Sequence, residues 1–372
     1  ATVALLIVVA RYIFKSHTWA NLAGLLMAIE GEAIVMSRTG LLDAILTFFV
    51  LLAFYFMLRD IDSRDLSRFT FNRPWLWAMA VSLGAATAVK WSGMYFVAFF
   101  GLYVVGSEVL ARRSIGQERW LLNGALIQGW RSFVTEVPTS IAVYLLSWSG
   151  WFATSGGYDR QWAETDANRW QGFFAWVPTP LQSLIHYHQE ILNFHINLKT
   201  PHSYQANPLT WLFNVRPTSF FYEDQSFGES GCQDASGCAS AITAIAHPLI
   251  WLAATAAVLV LIYFVVRNRD RISGLILVGL AAGYLPWLAI LGRTVFQFYA
   301  ISFTPWMILA LTYVLRRYLA SAAPERRDQY LWGVLSFVLL SIAITIFFLP
   351  VWLGTWTSYN FWHAHMWLPS WI

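Results

Sequence analysis

Apolar residues run along the chain in ten blocks separated by polar breaks, at 2–14, 19–36, 40–58, 75–90, 93–110, 131–152, 247–266, 272–291, 296–318 and 331–354. None alternates with period two, so each predicts a helix, and most approach the roughly 20 residues a helix needs to cross a bilayer. Backbone groups in hydrocarbon must be paired within the segment or around a closed barrel, and unalternated runs leave only the helix. The fold expected is all-α, a polytopic helical membrane protein in three parts. Residues 1–151 form N-terminal transmembrane helices, 152–246 a large extracytoplasmic loop, and 247–372 C-terminal transmembrane helices with an external tail. The chain opens inside the first block, with neither Met nor a basic-start signal peptide ahead of it, which reads as a missing N-terminal part.

Charge gives the blocks a direction. Arg11, Lys15, Arg59, Arg64, Arg68, Arg73, Arg112, Arg113, Arg119, Arg131, Arg267, Arg269, Arg271, Arg316, Arg317, Arg326 and Arg327 fall in one set of alternate loops. Only Arg38, Lys90, Arg160, Arg169, Lys199, Arg216 and Arg293 fall in the other. The positive-inside rule assigns the first set to the cytoplasm, which puts the long loop and the C-terminal tail together outside. Composition agrees: the chain is 58% hydrophobic and 12% charged, against roughly 45–50% and 25% in soluble domains. The net charge of +4 is spread over short loop clusters, and no basic stripe interleaved with aromatics suggests nucleic acid.

The outer loop holds the only two cysteines, Cys232 and Cys238, flanked by Gly231 and Gly237. An oxidising compartment favours a small disulfide-closed loop there, and two cysteines lack the further ligands zinc requires. Residues 180–198 space Leu181, Leu184, Ile185, Ile191 and Leu192 as an amphipathic helix lying in the outer interface. His186 and His188 on it are two apart and diverge, so no metal site is read from them or from His195.

Arg38, Lys90 and Arg293 each stand at the outer end of a predicted helix, in Ser37-Arg38-Thr39-Gly40, Val89-Lys90-Trp91-Ser92-Gly93 and Gly292-Arg293-Thr294. Charges at membrane depth cost several kcal/mol unless paired or hydrated, so their default reading is functional. Three cations at one level suit an anionic headgroup such as a lipid phosphate, although snorkelling to the general lipid surface is the plainer use. Glu30, Glu32 and Asp43 read as their structural counter-ions, in preference to a proton relay.

These stretches, with Ser147-Trp148-Ser149-Gly150-Trp151-Phe152, His202-Ser203-Tyr204-Gln205-Ala206-Asn207-Pro208, Gly283-Tyr284-Leu285-Pro286-Trp287 and the closing His365-Met366-Trp367-Leu368-Pro369-Ser370-Trp371, resemble the protein O-mannosyltransferases. The similarity is to the bacterial, actinobacterial-type members, along nearly the whole chain. It implies a GT-C fold with eleven transmembrane helices in the cell membrane and an extracytoplasmic active site. The activity implied is inverting transfer of mannose from polyprenyl-phosphate mannose to Ser or Thr of exported proteins, met at the Sec translocon, with no cofactor required. It also implies that the catalytic base belongs to an Asp-Glu pair in the first external loop, absent from this sequence. Lys90, Arg38 and Arg293, with Arg216 as a fourth, become candidates for the lipid phosphate, and His202, Tyr204, Asn207, Tyr222 and Tyr299 for positioning sugar or acceptor. Transfer of another sugar, or to a lipid or polysaccharide, remains an alternative. A secondary transporter would need a repeated pair of broken helices, which the sequence does not show. A purely structural membrane protein leaves the three outer cations without use.

Overall fold

The computed structural model describes residues 1–372. Its helices are α1 Thr2–Phe14, α2 His17–Ala28, α3 Gly31–Met36, α4 Leu42–Ser63, α5 Pro74–Val89, α6 Gly93–Ser114, α7 Gly129–Ser147, α8 Ser149–Ala153, α9 Thr179–Asn197, α10 Pro248–Asn268, α11 Arg271–Leu288, α12 Thr304–Ala320, α13 Arg327–Leu353 and α14 Tyr359–His363. Five helical stretches are by themselves long and apolar enough to cross a membrane: α4, α6, α10, α11 and the stretch Pro324–Leu353 that contains α13. The bundle has the inverted polarity of a membrane protein. Leu102, Leu126, Leu146, Leu259 and Val266 are exposed, while Asp60, Glu108, Gln128, Ser132 and Glu136 are buried.

Three of the ten blocks depart from a plain helix. The block 19–36 breaks after Ala28, where Glu30 leaves helical geometry and caps α3, accepting from the backbone N–H of Ala33 at 2.7 Å. The next residue has to be glycine: a Cβ at Gly31 would lie 2.2 Å from the Trp352 ring of α13. The block 296–318 opens as a 3₁₀ turn, Gln297–Ser302, before α12. The block 131–152 starts earlier than its hydrophobicity suggests, through a π-helical turn, Leu122–Gln128. Gln128 at its end exchanges two hydrogen bonds with the backbone of Thr70, at 3.0 and 3.1 Å.

The loops gather at two ends. At the arginine-rich end Tyr12 donates to Asp62 at 2.6 Å, Arg112 to the Leu66 carbonyl at 3.0 Å and Arg316 to the Phe14 carbonyl at 2.8 Å. Buried Arg73 grips Asp60 with Nε and a terminal nitrogen and donates to Ser132 at 2.9 Å. Glu108 accepts from Arg112 Nε at 2.9 Å and faces Arg64 at 3.5 Å.

At the other end a small sheet is added to the helical fold. A three-stranded antiparallel sheet joins β1 Ser219–Gln225, β2 Cys238–Thr243 and β3 Thr357–Ser358 in the order β1-β2-β3. The tail thus pairs with the long loop, and Cys238 stands opposite Ser358. Cys232 and Cys238 form a disulfide with Cα atoms 5.8 Å apart, closing the turn between β1 and β2. Exposed Asp234 in that turn accepts from the Ser236 hydroxyl and backbone N–H, which hold its carboxyl below the usual range.

Candidate active site

The site begins with the turn that ends α5. Lys90 leaves the helix in extended geometry, its N–H still bonded to the Ala86 carbonyl, and Gly93 returns its N–H to the Lys90 carbonyl at 2.8 Å. A Cβ at Gly93 would stand 2.6 Å from the backbone nitrogen of Thr87, so only glycine permits the reversal. The turn aims Lys90 at Asp43, in the first turn of α4, with 2.7 Å between Nζ and Oδ1. Nζ also lies 3.7 Å above the centre of the Tyr299 ring, a cation-π contact.

Arg293, after α11, faces the same space. One terminal nitrogen is 2.9 Å from His195 Nδ1 on α9, while Arg293 Nε is buried without a partner. Thr294 fixes this segment beside the end of α9, donating its N–H to the Leu198 carbonyl at 3.1 Å and its hydroxyl to the Thr200 carbonyl at 2.7 Å. Together these groups line an open cavity of about 1190 Å³ with Lys199, Asp43, Tyr95, Tyr144, Trp91 and Trp287, among a majority of hydrophobic side chains. Its ionic groups are three cations and one carboxylate, and that carboxylate is paired. A largely apolar cleft with an excess of positive charge suits a ligand with a hydrocarbon part and an anionic head.

Comparison with known proteins gives this geometry a family. Residues 1–146 match the family described as dolichyl-phosphate-mannose-protein mannosyltransferase. Residues 180–371 match the C-terminal four-transmembrane region of protein O-mannosyltransferase. A polyprenol-phosphate-mannose–protein mannosyltransferase of Mycolicibacterium smegmatis is 32% identical across 98% of this chain and 74% of its own length. The chain belongs to the protein O-mannosyltransferase family. The corresponding Mycobacterium tuberculosis protein is 31% identical across 99% of this chain and 74% of its own. The Saccharomyces cerevisiae Pmt1-Pmt2 complex, solved with its sugar donor, superposes with a TM-score of 0.76, covering all of this chain and 79% of the yeast chain at 14% identity. That likeness establishes the fold of the mannosyltransferase.

Of the residues singled out in the mannosyltransferase sequence, the structure brings Lys90, Arg293 and Tyr299 into the cavity. Arg38 lies outside its lining, exposed on the turn after α3 and five residues before Asp43. Arg216 is occupied elsewhere: it donates to the Ser203 carbonyl at 3.0 and 3.1 Å and to the carbonyls of Ser370 and Ile372, clamping loop to tail. Asn207 caps the 3₁₀ turn Pro208–Phe213 through the Leu209 N–H. Tyr204 lies under the Arg216 guanidinium, and His202 accepts from the Tyr204 N–H and packs edge-on against Phe296. Tyr222 in β1 packs against Trp362 of α14, where burial and then Asp224 raise its pKa. These five hold the loop together away from the cavity.

The counter-ion reading fits Asp43 and not Glu30, which caps α3 and accepts from the His247 N–H at 2.9 Å. Glu32 is buried without a hydrogen-bond partner. Sequence reasoning passed over Lys199 and gave His195 no role in the site. Only the fold carries the end of α9 to Arg293.

Proposed function

We propose that this protein is a polyprenyl-phosphate-mannose-dependent protein O-mannosyltransferase, acting in the cell membrane on the extracytoplasmic face and transferring mannose to Ser or Thr of exported proteins. The observation that carries this reading is the apolar cavity in which Lys90, Arg293 and Lys199 outnumber Asp43. In the reaction the acceptor hydroxyl oxygen bonds to the anomeric carbon as the bond from that carbon to the phosphate oxygen breaks. The electron pair leaves on the phosphate and the hydroxyl proton passes to a base. A single displacement inverts the sugar.

The charge growing on the phosphate is what this cavity is suited to hold. Arg293 has an unpartnered Nε and Lys90 is steadied by Asp43 and Tyr299. Fixed cations in a water-poor site stabilise such charge strongly, at about 10²- to 10³-fold per donor removed. Arg38, five residues ahead of Asp43, is proposed as a further phosphate ligand. Asp43 is engaged by Lys90; the resemblance to the family implies that the base is the Asp of its Asp-Glu pair. A transfer assay tests the reading with the full-length protein in membranes, polyprenyl-phosphate mannose and a Thr-rich peptide. Mannosylated peptide is expected, and a loss of about 10²-fold in Lys90→Ala and Arg293→Ala. Sugar passed only to lipid would overturn the protein acceptor, and unimpaired variants would overturn the phosphate site.

A further inference from the structure

The long loop places one titratable side chain against the cation proposed to hold the leaving phosphate. Arginine only donates hydrogen bonds, so at 2.9 Å from the Arg293 guanidinium His195 Nδ1 must be the acceptor. The imidazole is therefore neutral and carries its proton on Nε2, which donates to no group of the protein. We infer that His195 is a positioning residue for transfer, its Nδ1 fixing the Arg293 guanidinium so that the unpartnered Nε is presented to the donor phosphate, with the Nε2–H available to the same headgroup. The inference rests on the phosphate-site reading above.

The surroundings hold this arrangement from several sides. Burial, then Arg293 and Lys90, depress the His195 pKa, so the ring stays neutral near pH 7. The other ionic groups on the cavity wall are Lys199, just beyond the end of α9, and Asp43, which is turned to Lys90. The helix bearing His195 is docked independently about two turns earlier. His188 donates through Nδ1 to the Leu184 carbonyl at 2.8 Å, so its Nε2 accepts from the Tyr144 hydroxyl at 2.6 Å, and the Tyr144 oxygen accepts from Trp91 Nε1 at 3.0 Å. Trp91 directly follows Lys90, so one hydrogen-bonded chain ties α9 to the turn bearing one cation while His195 meets the other.

The test is a double-mutant cycle in the full-length protein in membranes, with polyprenyl-phosphate mannose as donor. Losing one hydrogen bond to a charged group predicts a fall in kcat/KM of about 10-fold or more for His195→Ala. His195→Asn, whose Oδ1 stands where Nδ1 stood, restores most of it. Added to Arg293→Ala, His195→Ala costs little more, because the partner it positions is gone. Protonation converts Nδ1 into a donor facing a guanidinium, so wild-type kcat/KM falls with falling pH through a pKa below about 6.5, and His195→Asn lacks that limb. Multiplicative losses in the double variant, or an unchanged acid limb in His195→Asn, overturn the positioning role. If Arg293→Ala is crippled and the His195 variants are not, this inference alone falls. If Arg293→Ala transfers at the wild-type rate, the phosphate-site reading falls with it.

Discussion

The protein carries two clusters of charged side chains, one toward each end of the bundle, and they are built on opposite plans. At the arginine-rich end Arg64, Arg73 and Arg112 meet Asp60 and Glu108 in a network of charge-assisted hydrogen bonds, around a polar cavity of only about 240 Å³. At the other end Lys90, Arg293 and Lys199 share a cavity of about 1190 Å³ with a single carboxylate. Where arginine donors are met by oxygen the cluster is a fastener. Where cations outnumber a single carboxylate that is already paired, the excess positive charge suits an anion from outside the chain. The first plan favours stability and the second favours binding, so substitutions should separate the two.

The largest expected effect lies in the fastener. Asp60→Ala would leave buried Arg73 without its nearest counter-ion, with only Glu108 at 4.0 Å remaining, at a cost of about 3 kcal/mol, read as an earlier thermal unfolding midpoint in detergent or nanodiscs. Transfer by the protein that remains folded should be unchanged. Arg293→Ala should do the reverse, costing about 10²- to 10³-fold in transfer. Its unfolding should move by no more than about 0.5 kcal/mol, because its one hydrogen bond is to an exposed histidine. Equal stability losses from both variants would show that the two clusters are not built on different plans.

A smaller effect belongs to the scaffold beside the cavity. Replacing Cys232 and Cys238 together by Ser should remove about 2 kcal/mol of loop-closure stabilisation for so short a loop, confined to the β1–β2 turn. Limited proteolysis should find new cleavage between Gln225 and Cys238 while transfer is retained.

The two clusters also differ in how far the sequence reveals them. The alternation of arginine-rich and arginine-poor loops predicts which loops gather, and Arg112 and Arg316 do meet partners from other segments of their own set. Lys90, Arg293 and Tyr299 stand out because a charge or ring beside a helix end is unusual, and the structure places them on one wall. Hydrophobic blocks could not disclose the sheet: β1 mixes Phe220 and Phe221 with Glu223 and Asp224, and β2 is mostly small residues. Nor could motif position alone separate Arg293 from Arg216. Both are loop arginines in recognisable stretches, but backbone carbonyls occupy one and a histidine holds the other. His195 carries no local signal, since its role depends on a contact with a residue 98 positions away.

The smallest change tests whether the docking of α9 belongs with the fastener or with the cavity. Tyr144→Phe deletes one hydroxyl that links His188 to Trp91, in a part-buried site where water can replace some of what is lost, so the expected cost is about 1 kcal/mol. If that cost falls on overall stability, α9 is part of the rigid frame and the unfolding midpoint shifts slightly while the donor KM stays put. We expect it to fall on the site. Loosening α9 lets His195 leave Arg293 part of the time, and a tie worth about 1 kcal/mol corresponds to a rise in donor KM of about fivefold. A donor titration of Tyr144→Phe with an unfolding scan beside it distinguishes the two. The hydroxyl touches neither Lys90 nor Arg293 but bonds Trp91 beside Lys90, so a rise in donor KM that travels through α9 should vanish when Tyr144→Phe is made in a His195→Ala background.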